Sequence, residues 1–426
     1  MKSSTKEKGL SVLQATFPMV GSILGAGVLT LPKAVEKSGY LLSGPILLFI
    51  SSICAFTLFQ LVHCAKNLGK SDPSYFLVCQ NAFPALGYIA DACIGVQGLG
   101  SVFVYFLLLK AWISKLLGID GAIVYLPYNI IFSLLLILVP TALAMQKDLK
   151  KLSFISIMST ASVVFLSAVV MLSGALSLML PSKGVQKDTL RAYTTSPSDI
   201  LAALSSYIFG LGCQQNMVRV FSLLEKPTKA NGAKVGAFAI AIASFAYFLV
   251  ANGGYIAGGN DQNVSILEIL ENKERAFYKV IMLNFGNTMG SAYFYLITVS
   301  MIAMSIVLLG AYPLQMHPTR DSAITFLRLI AKNPIDQNKR LAEIFTTAVL
   351  TALIFIGSLG NIKYTFVMNL IANTASCYIM FALPSISYIL SNKKRLLFTI
   401  LSCGILGGSI LFSITETYKL FSSIIN

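Results

Sequence analysis

Phe17-Pro18-Met19-Val20-Gly21-Ser22-Ile23-Leu24-Gly25-Ala26-Gly27-Val28-Leu29-Thr30-Leu31-Pro32 is an apolar run with three glycines and a serine packed into its centre. Together with the residues before it, the run is long enough to cross a bilayer as a helix, which takes about 20 residues. Each central glycine weakens a helix by about 1 kcal/mol relative to alanine, so local unwinding over residues 21–27 is expected. Backbone N–H and C=O groups freed there find no water inside a bilayer. Such a stretch is tolerated only where it is buried in protein or lines a cavity.

A second stretch has the same character. Tyr207-Ile208-Phe209-Gly210-Leu211-Gly212-Cys213-Gln214-Gln215-Asn216 places two glycines before three amides, and Pro197-Ser198 ahead of it suits a helix start. Each interruption opens a set of five apolar spans, the pattern of transporters built from inverted repeats. A broken helix leaves free N–H groups at one end and free C=O groups at the other. The first hold a carboxylate and the second an ammonium, so paired breaks fit a zwitterion without a buried charged side chain. Two plainer readings stay open: Gly21 and Gly25 as a small-residue packing face, or small residues at the gate of a pore.

The rest of the chain agrees with a membrane setting. Of 426 residues, 56% are hydrophobic and 12% charged, about half the charged share of a soluble domain. Eleven stretches are long and apolar enough to span: 10–32, 41–65, 84–109, 122–145, 152–180, 198–223, 233–257, 288–315, 342–359, 364–390 and 397–421. The basic leader (Lys2, Lys6, Lys8) raises a signal peptide, but the glycine-rich centre and basic exit (Lys33, Lys37) favour a retained span. The net charge of +15 sits mainly in short loops, so nucleic acid is not an expected partner. Basic residues concentrate in alternate loops that share the N-terminus's side of the membrane, among them Lys147, Lys150, Lys151, Lys226 and Lys229, which puts residues 1–9 in the cytosol. The sequon at Asn263 then falls outside. The polar connections 181–197 and 258–287 are the longest. The second reads equally as a short amphipathic helix or a solvated loop.

No enzyme motif appears. Gly69-Lys70-Ser71 lacks the earlier glycine of a phosphate loop, and no Gly-x-Ser-x-Gly occurs. Neither metal nor disulfide framework is read from the seven cysteines, and no cofactor is expected.

Gly21-Ser-Ile-Leu-Gly-Ala-Gly-Val-Leu-Thr-Leu-Pro32 resembles the first-span signature of the amino acid/auxin permease family. Ala311-Tyr-Pro-Leu-Gln-Met-His-Pro-Thr-Arg320 resembles the end of that family's eighth span, especially in vacuolar amino acid transporters. The resemblance runs from about residue 10 to 420. It implies an all-α membrane protein of the leucine-transporter type: two inverted five-span repeats (about 10–180 and 198–390) and one extra helix (about 397–421). It implies secondary transport of amino acids by a monomer in a vacuolar, lysosome-like or plasma membrane. Substrate contacts would fall on Gly21, Ser22, Gly25, Ala26 and Gly27, and on Phe209, Gly210, Leu211 and Gly212.

Sodium sites in this fold use first-span carbonyls and eighth-span hydroxyls. Here the eighth span offers Ser300 and Ser305, with Met301 on the face of Ser305 and Met304 where a second hydroxyl would help. Gly21 stands where sodium-coupled relatives carry Asn. These departures favour a proton, with sodium coupling or a passive carrier as alternatives. Intramembrane ionisable groups are the candidates for carrying a proton: Asp91, His63 and Lys110. His317 is expected after the eighth span, in a gate or loop. The alternative from another class is an ion channel or a receptor of the same fold.

Overall fold

The structure is a computed structural model. It describes residues 9–69, 73–146, 152–186, 189–260, 265–331, 339–360, 362–391 and 395–425. The sequon at Asn263 and most of the N-terminal tail lie outside these.

The first span begins with a capping box. Ser11 accepts from the Gln14 N–H, and Gln14 returns a bond to the Ser11 N–H. It runs as α1 (Val12–Ile23), breaks at Leu24-Gly25, passes through one 3₁₀ stretch (Ala26–Thr30), and resumes as α2 (Leu31–Ser38). The two halves are bent by 52°. Gly39, with φ +83°, turns the chain so tightly that a side chain would strike the Ala192 carbonyl. Then come α3 (Tyr40–Leu68), a short α4 (Tyr75–Ala82), α5 (Pro84–Leu116), α6 (Leu126–Ala144) and α7 (Leu152–Met179).

The second series opens the same way. Ser196 caps α8 (Pro197–Leu211), the chain breaks at Gly212-Cys213, and α9 (Gln214–Ser222) follows. Next are α10 (Lys229–Gly258), α11 (Ile266–Glu271), α12 (Ala276–Ala331), α13 (Lys339–Leu359), α14 (Tyr364–Ile371) and α15 (Leu383–Ser391). Two wide π-helical turns, Ala372–Ser376 and Tyr378–Ala382, join α14 to α15. The last helix is α16 (Leu396–Ile425).

Among the described residues nine helices are long and apolar enough to cross a membrane, and the bent α1–α2 pair makes ten. The broken α8–α9 pair fills the place of the remaining expected span, each half being too short alone. The broken helices sit at the centre: α2 packs on α8 and α10, and α1 on α10 and α9. Met19, Val28, Leu31, Tyr207 and Leu211 are fully buried. Only 17% of α6 and 22% of α16 are buried, against 67% of the Tyr364–Ser391 span, so those two helices form the lipid-facing rim.

Three readings of the sequence need correction. The connection 258–287 holds a short helix, but α11 buries Ile266, Leu267, Ile269 and Leu270 instead of lying on the surface. The eighth span does not stop near residue 315. Its helix continues through Pro313 and Pro318 to Ala331, after a kink at Gly286 (φ +69°). His317 is therefore helical, with Nδ1 3.0 Å from Arg320 Nη2, and is not a loop residue.

Candidate functional site

Both breaks place backbone groups at the middle of the molecule. Neither Gly25 nor Cys213 offers a side-chain cap to the helix that starts after it, so each start points first-turn N–H groups into the centre. The ends of α1 and α8 bring carbonyls to the same place. The two breaks touch: a Cβ on Gly27 would lie 2.8 Å from the Gly210 Cα, and one on Gly210 would lie 2.9 Å from the Tyr247 ring.

Tyr247, fully buried on α10, joins the two. Its hydroxyl lies 2.6 Å from the Ile23 carbonyl and 2.9 Å from the Gly210 carbonyl. A phenol has one proton to donate. Two carbonyls freed by helix breaks therefore share one donor, and the pair retains acceptor capacity for a cationic group.

Beside this contact is room. A Cβ on Gly25 would meet no heavy atom within 4 Å. On Gly212 it would meet only ordinary contacts, to Gln97 Nε2 and Met380 Sδ at 3.5 Å. Gln214 fixes the second break, accepting from the Cys213 N–H at 3.0 Å and donating to Thr57 of α3 at 3.3 Å. Ser205 of α8 donates to Asn373 in the π-helical turn at 2.7 Å. Toward α2, Thr30, Lys33, Ser206, Phe209, Met368 and Asn369 leave a space of about 10 Å³, room for roughly one water. At the opposite end Leu10 bridges to the segment after α9: Leu10 N–H to Leu223 O is 2.8 Å and Glu225 N–H to Leu10 O is 2.9 Å.

Gly25, Gly27, Phe209, Gly210, Leu211 and Gly212 thus lie at or beside the breaks. Gly21 and Ser22 lie in the last turn of α1, with Ser22 Oγ donating to Met19 O at 2.8 Å. The Ala26 backbone is in the 3₁₀ stretch; its side chain lies outside the described residues. Met301 is buried on α12, and Ser305 donates to its carbonyl at 2.8 Å. The main neighbours of α12 are α5 and α7, and those of α1 are α10 and α9. The ionisable candidates sit away from the breaks. Asp91 Oδ1 accepts from Ser322 at 3.0 Å, Lys110 donates to the Ser358 carbonyl at the end of α13 at 2.7 Å, and His63 lies 3.2 Å from Lys229.

Sequence reasoning missed Tyr247 and Gln97. Gln97 Oε1 is buried with no hydrogen-bond partner among the described residues, and a lone amide in the apolar run of α5 was the signal for it. It also missed Glu268 on α11. That carboxylate accepts from Trp112 Nε1 at 3.1 Å and from Ser265 Oγ at 2.9 Å. Burial pushes its pKa up, against the pull of Ser265, Lys115 and Trp112.

A profile of the transmembrane amino acid transporter protein family matches residues 8–415. The chain belongs to that family. Similar curated relatives include vacuolar amino acid transporter 5 of Schizosaccharomyces pombe, 25% identical over 88% of this chain and 83% of the relative. Sodium-coupled neutral amino acid transporter 7 of Danio rerio is 24% identical over 62% of this chain and 58% of the relative. Among solved structures, MhsT in complex with L-phenylalanine superposes with a TM-score of 0.61 at 12% identity, covering 97% of this chain and all of that one. In this transporter family member the fold is therefore the leucine-transporter type, embedded in a membrane as a multi-pass protein.

Proposed function

We propose that the chain carries amino acids across a membrane by alternating access, in symport with protons. The observation that carries the reading is the pairing of two helix breaks at one point, with open space at Gly25 beside them. N–H ends there suit a carboxylate, and the carbonyls that share the Tyr247 proton suit an ammonium. The backbone of residues 21–27 and 209–212 holds the substrate. Residues 10–180 and 198–390 act as the two repeats, with 397–421 as the extra helix. One chain completes the cycle. The N-terminus lies in the cytosol, and the membrane is vacuolar, lysosome-like or the plasma membrane.

Proton coupling is supported by Met304, where a second hydroxyl would help a sodium site, and by Gly21 in place of Asn. Sodium coupling is the second reading, favoured by the Danio rerio relative's name. Uptake of a labelled amino acid into proteoliposomes tests both. It should saturate, accelerate when unlabelled substrate is preloaded, and rise with acid on the face opposite the N-terminus. Sodium-driven uptake indifferent to pH would transfer the coupling to sodium. Uptake that never saturates would mean a pore and end the proposal.

A further inference from the structure

An apolar groove of about 750 Å³ opens between α3, α8, the tenth span and α16. Ile53, Phe56, Ile208 and Phe381 line it, and Gly404 and Gly408 leave its α16 wall bare. These glycines are four residues apart on one helix face, and a Cβ on either would meet nothing within 4 Å. From Ile400 to Phe412 the groove follows α16 for about 18 Å, at 1.5 Å per residue. That exceeds one leaflet of a ~30 Å hydrocarbon core.

The mouth of the groove is aromatic and basic. Phe56 stacks on Phe398 with centroids 5.7 Å apart, and the Arg395 guanidinium lies 5.6 Å over Phe398. Phe59 bridges Phe398 at 5.9 Å to His63 at 6.0 Å, and His63 meets the Tyr388 edge at 5.4 Å. Lys229 Nζ is 3.2 Å from His63 Nε2. Among the described residues no ion pair joins Arg395 or Lys229 to a carboxylate. Two cations around one aromatic cluster, at the head of a leaflet-deep apolar channel, match one ligand chemistry: a phosphate on a diacyl lipid.

We infer that this groove binds an anionic phospholipid, its phosphate held by Arg395 and Lys229 and one acyl chain laid along Gly404 and Gly408. The chain would lie on Ile208 of α8, close to the second break. The site stands apart from the substrate reading and does not depend on the coupling ion.

Native mass spectrometry of the detergent-purified chain, offered phosphatidylglycerol or phosphatidylcholine, tests it. Phosphatidylglycerol should be retained about thirtyfold more, as expected for two cations near a membrane surface. The K229Q/R395Q pair should bring the two lipids to parity. G404L/G408L should reduce retention of both about tenfold, with the melting temperature held, because those side chains point into open space. Equal retention of both lipids by the wild type would leave annular lipid only and overturn the inference. So would variants that match the wild type, displacement of the lipid by millimolar inorganic phosphate, or a lipid-free dimer seated at the groove.

Discussion

Tyr247 holds two helix breaks together with one hydroxyl, and its neighbour Gly25 keeps a space open by having no side chain. The first role predicts that Tyr247→Phe lowers stability by about 1–3 kcal/mol, since two buried carbonyls lose their donor. A melting curve in detergent checks this, and an unchanged midpoint would contradict it. The second role predicts a split result for Gly25→Leu: transport lost, melting temperature kept. Gly25 has φ −134°, which any residue adopts, so backbone strain is absent and only the vacant space is filled. Gly25 was legible in the sequence, because a cluster of glycines in an apolar run has few uses. Tyr247 was not. It is one of 18 tyrosines, and its bond to Ile23 spans 224 residues, which no local pattern encodes.

At the level of elements, α11 carries a contact that depends on pH. Its Glu268 carboxyl is bonded to Trp112 of α5, and α11 packs on α10, α12 and the 3₁₀ stretch of the first span. Lys115, Glu271, Asp120, Lys273 and Tyr278 share the cavity beside it, and Lys115 pairs with Glu271 at 2.6 Å. Burial raises the Glu268 pKa above the usual carboxylate value. The packed state therefore binds the proton more tightly than an undocked one. Docking of α11 is strongest below the ordinary carboxylate pKa and weakens as pH rises through the raised value. Amide hydrogen exchange over 266–271, corrected for the intrinsic pH effect, should show faster opening as pH rises. Glu268→Gln should hold α11 closed and flatten that dependence. A variant with the wild-type slope would remove Glu268 from the explanation. The sequence left helix and loop equally open here because six residues carry no periodicity to read. The eighth span was cut short for the opposite reason. Pro313, Pro318 and the basic residues after them are ordinary stop signals, overridden where Ser322 of α12 bonds Asp91 of α5.

For the whole molecule, the apolar spans and the positions of both breaks were legible, because bilayer thickness sets span length and glycine sets where a helix yields. What brings the breaks into contact was not legible. Gly27 against Gly210 and the Leu10–Leu224 pairing are tertiary facts that join residues far apart in the chain. The space toward α2 is only about 10 Å³. The central claim is that backbone groups at these breaks hold both ends of a zwitterion. Competition against uptake of a labelled neutral amino acid measures it directly. The parent amino acid should compete fully, while its decarboxylated amine and its deaminated acid should each be at least about tenfold weaker, since each leaves one set of helix ends unmatched. Equal competition by either analogue would contradict the account.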